Sequence, residues 1–313
     1  MSLCWIVTEG LAGTENQCLG VAEALGVMPV VKRINLRQPW KLLSPYIGFE
    51  TKNTFTGDAL EPPWPDLLIA AGRKAIAAAR YIKRASGGKT FTVFLQDPRI
   101  DPAAFDLVVV PAHDPTRGDN VVVTQAAPNR VNFSRLKNAR KDFETLLSPL
   151  PDPRVAVMIG GSSNAYTLTP DLMTKLAGDL RALAAQGFGL MVTASRRTGE
   201  GNRDILVKEL KDTNAYLWNG TGDNPYFGFL AWADFILVTA DSVSMISEAA
   251  TTGKPVYIVP LEGGADRIGR LHQNLLEKGV VRLFEGKLEA YSYPRLDDAG
   301  FVAEEIRKRL GKS

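Results

Sequence analysis

A glycine- and serine-rich turn in the second half of the chain has the composition of a phosphate-binding loop. The sequence IGGSSNAYTL at residues 159–168 leads from an apolar run into two glycines, two serines and an asparagine. Glycines let the backbone approach a ligand closely, and amides and hydroxyls at a helix start favour a phosphate group. A strand-to-helix turn with serine and asparagine caps is the structural alternative. The residues predicted to bind a nucleotide here are Gly160, Gly161, Ser162, Ser163 and Asn164.

Two adjacent arginines occupy the end of the next apolar run, in TASRRT at residues 193–198. A guanidinium forms paired hydrogen bonds to phosphate oxygens, so arginines here fit a diphosphate. We predict that Ser195, Arg196 and Thr198 bind the same nucleotide. Arg196 and the amides of residues 161–163 would stabilise a diphosphate leaving group.

A third polar turn opens a helix in TADSVSMISEA at residues 239–249. Glu248 follows Ser244 by one helical turn and shares its face. A carboxylate in this place can accept both hydroxyls of a ribose, although capping and compensation of the helix dipole are the alternative. We add Asp241, Ser242, Ser244 and Glu248 to the predicted nucleotide site.

Apolar runs rich in Val, Ile and Leu alternate along the chain with segments of helical periodicity, which is the βαβ pattern. Strands that are apolar throughout are buried on both faces, as in parallel sheets covered by helices, and ligands bind beyond their carboxyl ends. The fold class predicted is α/β, with two doubly wound parallel-sheet (Rossmann-like) domains facing a cleft. The predicted strands are 3–8, 30–35, 67–71, 90–95, 107–110, 121–124, 154–159, 189–194, 215–218, 235–239, 255–259 and 280–284.

Domain limits follow from the length of 313 residues and from SPLPDP at residues 148–153, whose prolines prevent a continued helix. We predict an N-terminal domain over 1–148, on the acceptor side, and a C-terminal domain over 154–290, on the donor side. A helix within 291–313 could cross back to the first domain. The predicted helices include 15–25, 73–84, 134–147 and 298–310.

Polar residues of the first half also follow predicted strands, so they are candidates for the second side of a site. A proton acceptor for a hydroxyl would be Glu15, Asp97 or His113, with capping as the alternative role of Glu15. The remaining acceptor-side candidates are Asn16, Gln17, Arg73, Gln96, Arg99 and Asp114.

Composition excludes several other classes. Hydrophobic residues make up 45% and charged residues 23%, and no apolar run has the ~18 residues of a membrane-spanning helix. A net charge of +3 predicts an ordinary solvated surface and no nucleic-acid partner. Two cysteines and a start without signal-peptide features predict a cytoplasmic protein.

The segment QPWKLLSPYIGF at residues 38–49 interleaves aromatic and aliphatic residues with Lys41. This composition fits a lipid interface, and peripheral contact with the inner membrane through 38–49 is one interpretation. The preferred interpretation is that the segment covers a core beneath a loop.

Motifs of neighbouring chemistries are missing from the sequence. It has no Asp-x-Asp pair for a metal-bridged diphosphate, no G-x-G-x-x-G after the first strand and no P-loop. We therefore expect no metal or cofactor, with a nucleotide-sugar as substrate rather than as a bound group.

The segment from Tyr226 to Val281 resembles the donor-binding region of GT-B transferases of the peptidoglycan GlcNAc-transferase kind, in which a helix glutamate at the position of Glu248 holds the ribose. GGSS at residues 160–163 resembles the GGS loop of that family. TEGLAGTENQ at residues 8–17 departs from it, so the acceptor and the catalytic base do not carry over.

Almost the whole chain resembles bacterial members of the ELM-type mitochondrial fission family, which are also described as glycosyltransferases. GLAGTENQ, AAGRK, LQDPR, PAHD, IGGSSNAY, TASRRT and TADSVSMISEA occur in order. The resemblance implies a GT-B-like fold, and for plant members a link to mitochondrial division.

The function expected is metal-independent transfer of a sugar from a nucleotide-diphosphate donor to an unknown acceptor, in cell-envelope glycan metabolism. A nucleotide-sugar epimerase would use the same fold and carboxylates. A non-catalytic GT-B-like interaction protein of the fission type is the third alternative.

Overall fold

The computed structural model describes residues 3–311. Residues 1–2 and 312–313, which the predicted domain ranges include, lie outside the described residues. The chain divides into two compact units. Unit 1 takes in the residues up to Arg130 together with those from Asp297 onward, and unit 2 is Val131–Leu296.

The N-terminal part of unit 1 alternates strands with helices. Its elements are β1 (Cys4–Thr8), α1 (Ala12–Leu25), β2 (Pro29–Leu36), α2 (Trp40–Leu43), β3 (Phe55–Gly57), β4 (Leu67–Ala71), α3 (Ala75–Ala85), β5 (Phe91–Leu95), β6 (Leu107–Pro111) and β7 (Val121–Thr124).

Unit 2 repeats the alternation, and α11, which belongs to unit 1, follows it. The elements are α4 (Phe133–Asp142), α5 (Glu144–Leu147), β8 (Arg154–Ile159), β9 (Tyr166–Thr167), α6 (Pro170–Ala185), β10 (Gly189–Ala194), α7 (Glu200–Glu209), β11 (Ala215–Leu217), α8 (Tyr226–Trp232), β12 (Phe235–Thr239), α9 (Val243–Thr251), β13 (Val256–Val259), β14 (Glu262–Gly263), α10 (Asp266–Glu277), β15 (Val281–Leu283) and α11 (Asp298–Leu310).

Within residues 3–311, unit 1 forms a seven-stranded sheet in the order β3-β2-β1-β4-β5-β6-β7. Its strands are parallel except β3, which runs antiparallel to β2 at the edge. The central strands β1, β4 and β6 are buried along their whole length, because α1 and α11 cover one face and α3 covers the other. Burial on both faces of the sheet therefore explains the continuous apolar runs, as expected from the sequence.

Unit 2 forms, in the described part of the chain, a six-stranded parallel sheet in the order β11-β10-β8-β12-β13-β15. Helices α6 and α7 pack on one face, and α8, α9 and α10 on the other. A short antiparallel pair, β9 with β14, lies apart from this sheet. The predicted α/β class with two Rossmann-like domains is confirmed.

The division of the chain differs from the predicted one. The proline-rich residues 148–153 lie inside unit 2, and the division falls instead at residues 130 and 131. The reason is that α4 packs against α8, where the indole Nε1 of Trp232 donates to the carbonyl of Arg140 at 2.8 Å. The helix predicted over 134–147 is two helices, interrupted at Phe143.

The C-terminal helix α11 belongs to unit 1. Val302, Ala303 and Ile306 are buried against the α1 side of the first sheet. The carboxylate of Asp298 accepts the backbone N–H groups of Gln125 and Ala126, each at 2.9 Å. None of the helices in residues 3–311 has the length and apolarity needed to cross a membrane.

Candidate functional site

The order of strands in unit 2 creates a switch point between β8 and β12. From β8 the chain proceeds to β10 on one side, whereas β12 lies on the other side. Loops that leave neighbouring strands in opposite directions open a crevice at their carboxyl ends, where ligands of such sheets bind. The three predicted polar turns follow β8, β10 and β12, and all lie at this edge.

The buried carboxylate of Asp241 joins these three turns. Its Oδ1 accepts the Thr239 hydroxyl at 2.6 Å, and its Oδ2 accepts the Gly161 amide at 3.1 Å. Arg197 Nη2 lies 2.8 Å from the same Oδ2. Asp241 is thus surrounded by protein donors, and its negative charge fixes the turns relative to each other.

The two glycines of the β8 turn are required by packing. A Cβ on Gly160 would lie 2.3 Å from both carboxylate oxygens of Asp241. A Cβ on Gly161, whose φ is +148°, would lie 2.1 Å from the carbonyl oxygen of Arg197. The close approach that these glycines permit is therefore between protein segments, and not, as predicted, between backbone and ligand.

The backbone amides predicted to stabilise a leaving group already donate to protein acceptors. The role predicted for them is therefore corrected. Besides the Gly161 amide on Asp241, the Ser162 amide donates to the Arg197 carbonyl at 3.2 Å. The Ser163 amide donates to the Tyr166 carbonyl at 2.8 Å. The turn exposes Ser162, Ser163 and Asn164 to solvent.

Two hydroxyls of the β10 turn also hold the β8 turn in place. Ser195 Oγ donates to the carbonyl of Gly160 at 2.5 Å, and Thr198 Oγ1 donates to the same oxygen at 2.6 Å. Thr198 is buried. Their contacts are structural, in contrast to the ligand contacts predicted for them.

Arg196 differs from its neighbour Arg197. Its side chain is exposed and, among residues 3–311, makes no ion pair or hydrogen bond. Helix α9 begins at the same edge, with Ser242 as N-cap and Ser244 half-buried in the first turn. An exposed guanidinium and the positive end of a helix, both at this edge of the sheet, are each suited to an anion.

Glu248 lies in α9 and is buried. The Tyr226 hydroxyl donates a short hydrogen bond to its Oε2. Burial, together with the charge and the hydrogen bond of Glu248, raises the pKa of Tyr226 well above 10. A neutral phenol therefore faces the carboxylate, and any ribose bound here must share Glu248 with Tyr226.

Two aromatic side chains near Asp241 were missed from the sequence. Burial, and then the charge of Asp241, raise the pKa of Tyr166. The His272 ring lies 6.4 Å from the Tyr166 ring, and its Nε2 is buried without a hydrogen-bond partner in residues 3–311. Burial lowers the pKa of His272, although a hydrogen bond with the Ala240 carbonyl opposes the shift. The position of His272 in an amphipathic helix, next to Gln273 and Asn274, was the signal available.

A cavity of about 200 Å³ lies beyond the carboxyl ends of β10 and β11. It was not predicted, because it depends on how α7 packs against the ends of β10 and β11. The lining residues are Ala194, Arg203, Leu206, Val207, Leu217, Trp218 and Asn219.

In unit 1, the predicted base Glu15 is paired with Arg33. Both carboxylate oxygens are used, with Arg33 Nε at 2.8 Å from Oε2 and Nη2 at 2.7 Å from Oε1. Asn16 is half-buried one residue further, and Gln17 is buried, with its Oε1 accepting from Gln96 Nε2 at 3.3 Å. The bidentate pair makes Glu15 a structural carboxylate in this arrangement.

The other two candidates for a base have contrasting environments. Asp97 is half-buried, and both of its hydrogen bonds end on Oδ1, from the Arg99 amide at 2.8 Å and the Thr116 hydroxyl at 2.7 Å. His113 and Asp114 are buried, with His113 Nε2 3.8 Å from Asp114 Oδ1. Burial leaves these two side chains 2% exposed, which removes His113 from contact with solvent.

The switch point of unit 1 lies between β1 and β4, where sequence reasoning missed Glu9 and Lys74. Glu9 Oε1 accepts the Lys74 amide at 2.9 Å, and its Oε2 lies 3.0 Å from Lys74 Nζ. The predicted Arg73 is exposed and donates to the carbonyl of Lys41 at 3.2 Å. A charge pair, rather than Arg73, therefore spans the two strand ends.

The two doubly wound units have the GT-B type of fold, which solved structures share. The UDP-GlcNAc 2-epimerase of Methanocaldococcus jannaschii matches with a TM-score of 0.61 and 13% identity, covering 100% of both chains. The same enzyme in complex with UDP-GlcNAc and UDP matches with a TM-score of 0.58 and 12% identity, again over 100% of both chains. MurG of Acinetobacter baumannii matches with a TM-score of 0.53 and 14% identity, covering 99% of this chain and 90% of MurG.

The chain belongs to the mitochondrial fission ELM1 family, whose model matches residues 12–310. The mitochondrial fission protein ELM1 of Arabidopsis thaliana is 35% identical over 386 residues, which cover 97% of this chain and 90% of the plant protein.

Proposed function

We propose that this protein transfers a sugar from a nucleotide-diphosphate donor to a hydroxyl of an acceptor, with the donor bound by unit 2. The observation that carries the proposal is the set of contacts to Asp241. They hold the turns after β8, β10 and β12 at one edge while Arg196 stays exposed and unpaired within the described residues. A preorganised edge with one uncommitted cation suits a ligand with a compact negative charge.

The diphosphate would bind Arg196 and the N-terminal turn of α9. Arg196 provides bidentate hydrogen bonds, and the helix end provides a fixed positive potential. Residues 162–164 are exposed beside these groups and would add hydroxyl and amide contacts. Charge that develops on the leaving nucleoside diphosphate would be stabilised here without a metal ion.

The nucleoside would extend away from the diphosphate. Glu248 would accept a ribose hydroxyl, sharing its carboxylate with Tyr226. Solved neighbours of this fold bind UDP-GlcNAc, which supports a uridine nucleotide as the first donor to test.

Asp97 of unit 1 is the proposed general base. Because both hydrogen bonds that Asp97 accepts within residues 3–311 end on Oδ1, Oδ2 can accept the proton of an acceptor hydroxyl. The acceptor oxygen would form a bond to the anomeric carbon as the bond from that carbon to the diphosphate oxygen breaks. The products are a glycoside and a nucleoside diphosphate. The acceptor is proposed to be a cell-envelope glycan precursor in the cytoplasm.

A ligand screen tests the donor site. Thermal unfolding is followed with UDP, GDP, CMP and ADP, and with sugars attached to them. We expect one nucleotide to raise the unfolding temperature, since a ligand that binds only the folded state stabilises it. The shift should be lost in Arg196→Ala and Glu248→Ala. It should persist in Glu15→Ala, and in Arg282→Ala, whose arginine lies on the opposite edge strand β15.

Product analysis then separates the alternatives. Release of nucleoside diphosphate that requires an acceptor and persists in EDTA supports transfer. Conversion of the nucleotide-sugar to an isomer without acceptor would make the protein an epimerase. Absence of a shift with every nucleotide overturns the proposal and favours a non-catalytic role within the fission family.

A further inference from the structure

The segment from Trp40 to Phe49 in unit 1 presents apolar side chains to solvent. Leu42 is 73% exposed, Tyr46 75% and Phe49 86%, and Leu43 is exposed as well. The sequence favoured a segment that covers a core. That interpretation holds for Trp40 alone, which packs against the core of the unit.

Helix α3 fixes the backbone of this segment from below. Arg80 Nη2 donates to the carbonyl of Ile47 at 2.5 Å, and Arg84 Nη2 donates to the carbonyl of Glu50 at 2.5 Å. Ser44 is buried at the base of the turn. Because the backbone is held by these bonds, the apolar side chains on its outer surface are displayed in a defined arrangement rather than folded inward.

The charges around the apolar side chains have one sign. The exposed charged residues between 37 and 53 are Arg37, Lys41 and Lys52. The carboxylate in this stretch, Glu50, is buried and paired with Arg80 and Arg84. This stretch therefore exposes aromatic and aliphatic groups together with three cations that form no ion pair within residues 3–311.

We propose that residues 37–52 form a docking surface for an anionic lipid bilayer. Phe49, Tyr46 and Leu42 would enter the boundary between headgroups and acyl chains, and the three cations would contact lipid phosphates. A neutral protein surface would match the apolar groups but not the cations, and a second copy of this chain would bring like charges together. The proposal is independent of sugar transfer, because it depends on unit 1 alone.

Co-sedimentation with vesicles tests the surface in the full-length protein. Vesicles of phosphatidylcholine alone are compared with vesicles containing an equal amount of phosphatidylglycerol. We expect binding to the anionic vesicles, weakened about tenfold or more by the triple substitution Arg37→Gln, Lys41→Gln, Lys52→Gln. The triple substitution Leu42→Ser, Tyr46→Ser, Phe49→Ser should abolish it. Met28→Ser, which removes another exposed apolar side chain of unit 1, is the matched control and should bind as the unsubstituted protein does.

A fluorophore gives a measurement that does not depend on a loss of binding. Gly48 is exposed with open space around its Cβ position, and Cys4 and Cys18 are buried, so Gly48→Cys can be labelled selectively. An environment-sensitive dye there should shift to the blue on anionic vesicles, whereas the same dye on Met28→Cys should not. No vesicle binding, equal binding to both vesicle types, or equal dye shifts at both sites would overturn the proposal. So would a dimer that dissociates in the Leu42, Tyr46, Phe49 variant, because the surface would then be an interface between copies.

Discussion

Arg197 Nη2 lies 2.8 Å from Oδ2 of Asp241, and this contact links the end of β10 to the end of β12. Asp241→Ala removes the acceptor of the Gly161 amide and leaves Arg197 unpaired. We expect the free energy of unfolding of unit 2 to fall by about 2–3 kcal/mol. The loss is smaller than for a fully buried pair, because Arg197 is half-exposed. Urea unfolding measures the loss. Arg282→Ala, which breaks a surface pair with Glu289, should cost less than about 1 kcal/mol. Equal losses in the two variants would show that Asp241 does not organise the turns.

Gly160 should not tolerate a side chain, because a Cβ would overlap both carboxylate oxygens of Asp241. Gly160→Ala is expected to destabilise unit 2 by about 2–3 kcal/mol and to weaken nucleotide binding. Gly178→Ala is the matched control, since Gly178 lies in α6 with open space around it. That substitution should stabilise the protein by roughly 0.5–1 kcal/mol, because alanine favours a helix. A neutral effect of Gly160→Ala, in unfolding and in ligand binding, would contradict the tight packing of the turn.

Much of the fold could be predicted from the sequence, because short apolar runs rich in Val and Ile that alternate with helical segments are typical of strands covered on both faces. The runs at β4, β6 and β8 correspond to fully buried strands. The domain boundary could not be found in this way. Prolines at 148–153 show where a helix ends, but the unit to which α4 belongs is decided by its contact with α8, which comes some ninety residues later.

The three strand ends of the candidate site were also predictable, whereas the roles of single residues within them were not. Arg196 and Arg197 are adjacent and identical in type, and only the position of Asp241 decides which of them is paired. The amides of residues 161–163 look available in the sequence, yet those of Gly161 and Ser162 have acceptors from the other two turns, and that of Ser163 donates to the carbonyl of Tyr166 in its own turn. Exposure of Tyr46 and Phe49 depends on how Arg80 and Arg84 hold the backbone, which composition does not encode.

Substitutions of Tyr226 and of Glu248 should have different effects on nucleotide binding. Glu248→Gln removes the charge that accepts a ribose hydroxyl, and we expect about tenfold weaker binding of the nucleotide found in the screen. Tyr226→Phe removes a donor to Glu248 and should lower stability by about 1–2 kcal/mol while leaving affinity within a few-fold of its original value. Calorimetric titration and urea unfolding of both variants provide the comparison. If Tyr226→Phe abolished binding and Glu248→Gln did not, the phenol and not the carboxylate would be the ligand contact.

His272 should make unit 2 sensitive to mild acid. Burial lowers its pKa in the folded state below the ordinary 6.5, so the unfolded chain binds this proton more readily than the folded protein does. The stabilising contribution is therefore fully present above pH 6.5 and is lost as the pH falls through the lower, folded-state pKa. His272→Gln should show a shallower loss of unfolding temperature between neutral pH and pH 5. His113 is present in both proteins, so the difference between the two curves reports His272. Parallel curves for the two proteins would rule out an unfavourable protonation of His272.

Asp298 attaches the C-terminal helix to unit 1 through two amides, those of Gln125 and Ala126. Asp298→Ala removes the acceptor of both N–H groups at a buried position. We expect the free energy of unfolding to fall by about 2–4 kcal/mol. The adjacent Asp297 is an exposed N-cap whose Oδ1 accepts the Gly300 amide at 3.0 Å, so Asp297→Ala should cost only about 1 kcal/mol. Hydrogen exchange provides the readout, because the amides of α1, against which α11 packs, should lose protection in Asp298→Ala and keep it in Asp297→Ala. If the amides of α1 stay protected from exchange in both variants, α11 does not stabilise the helices that cover the first sheet.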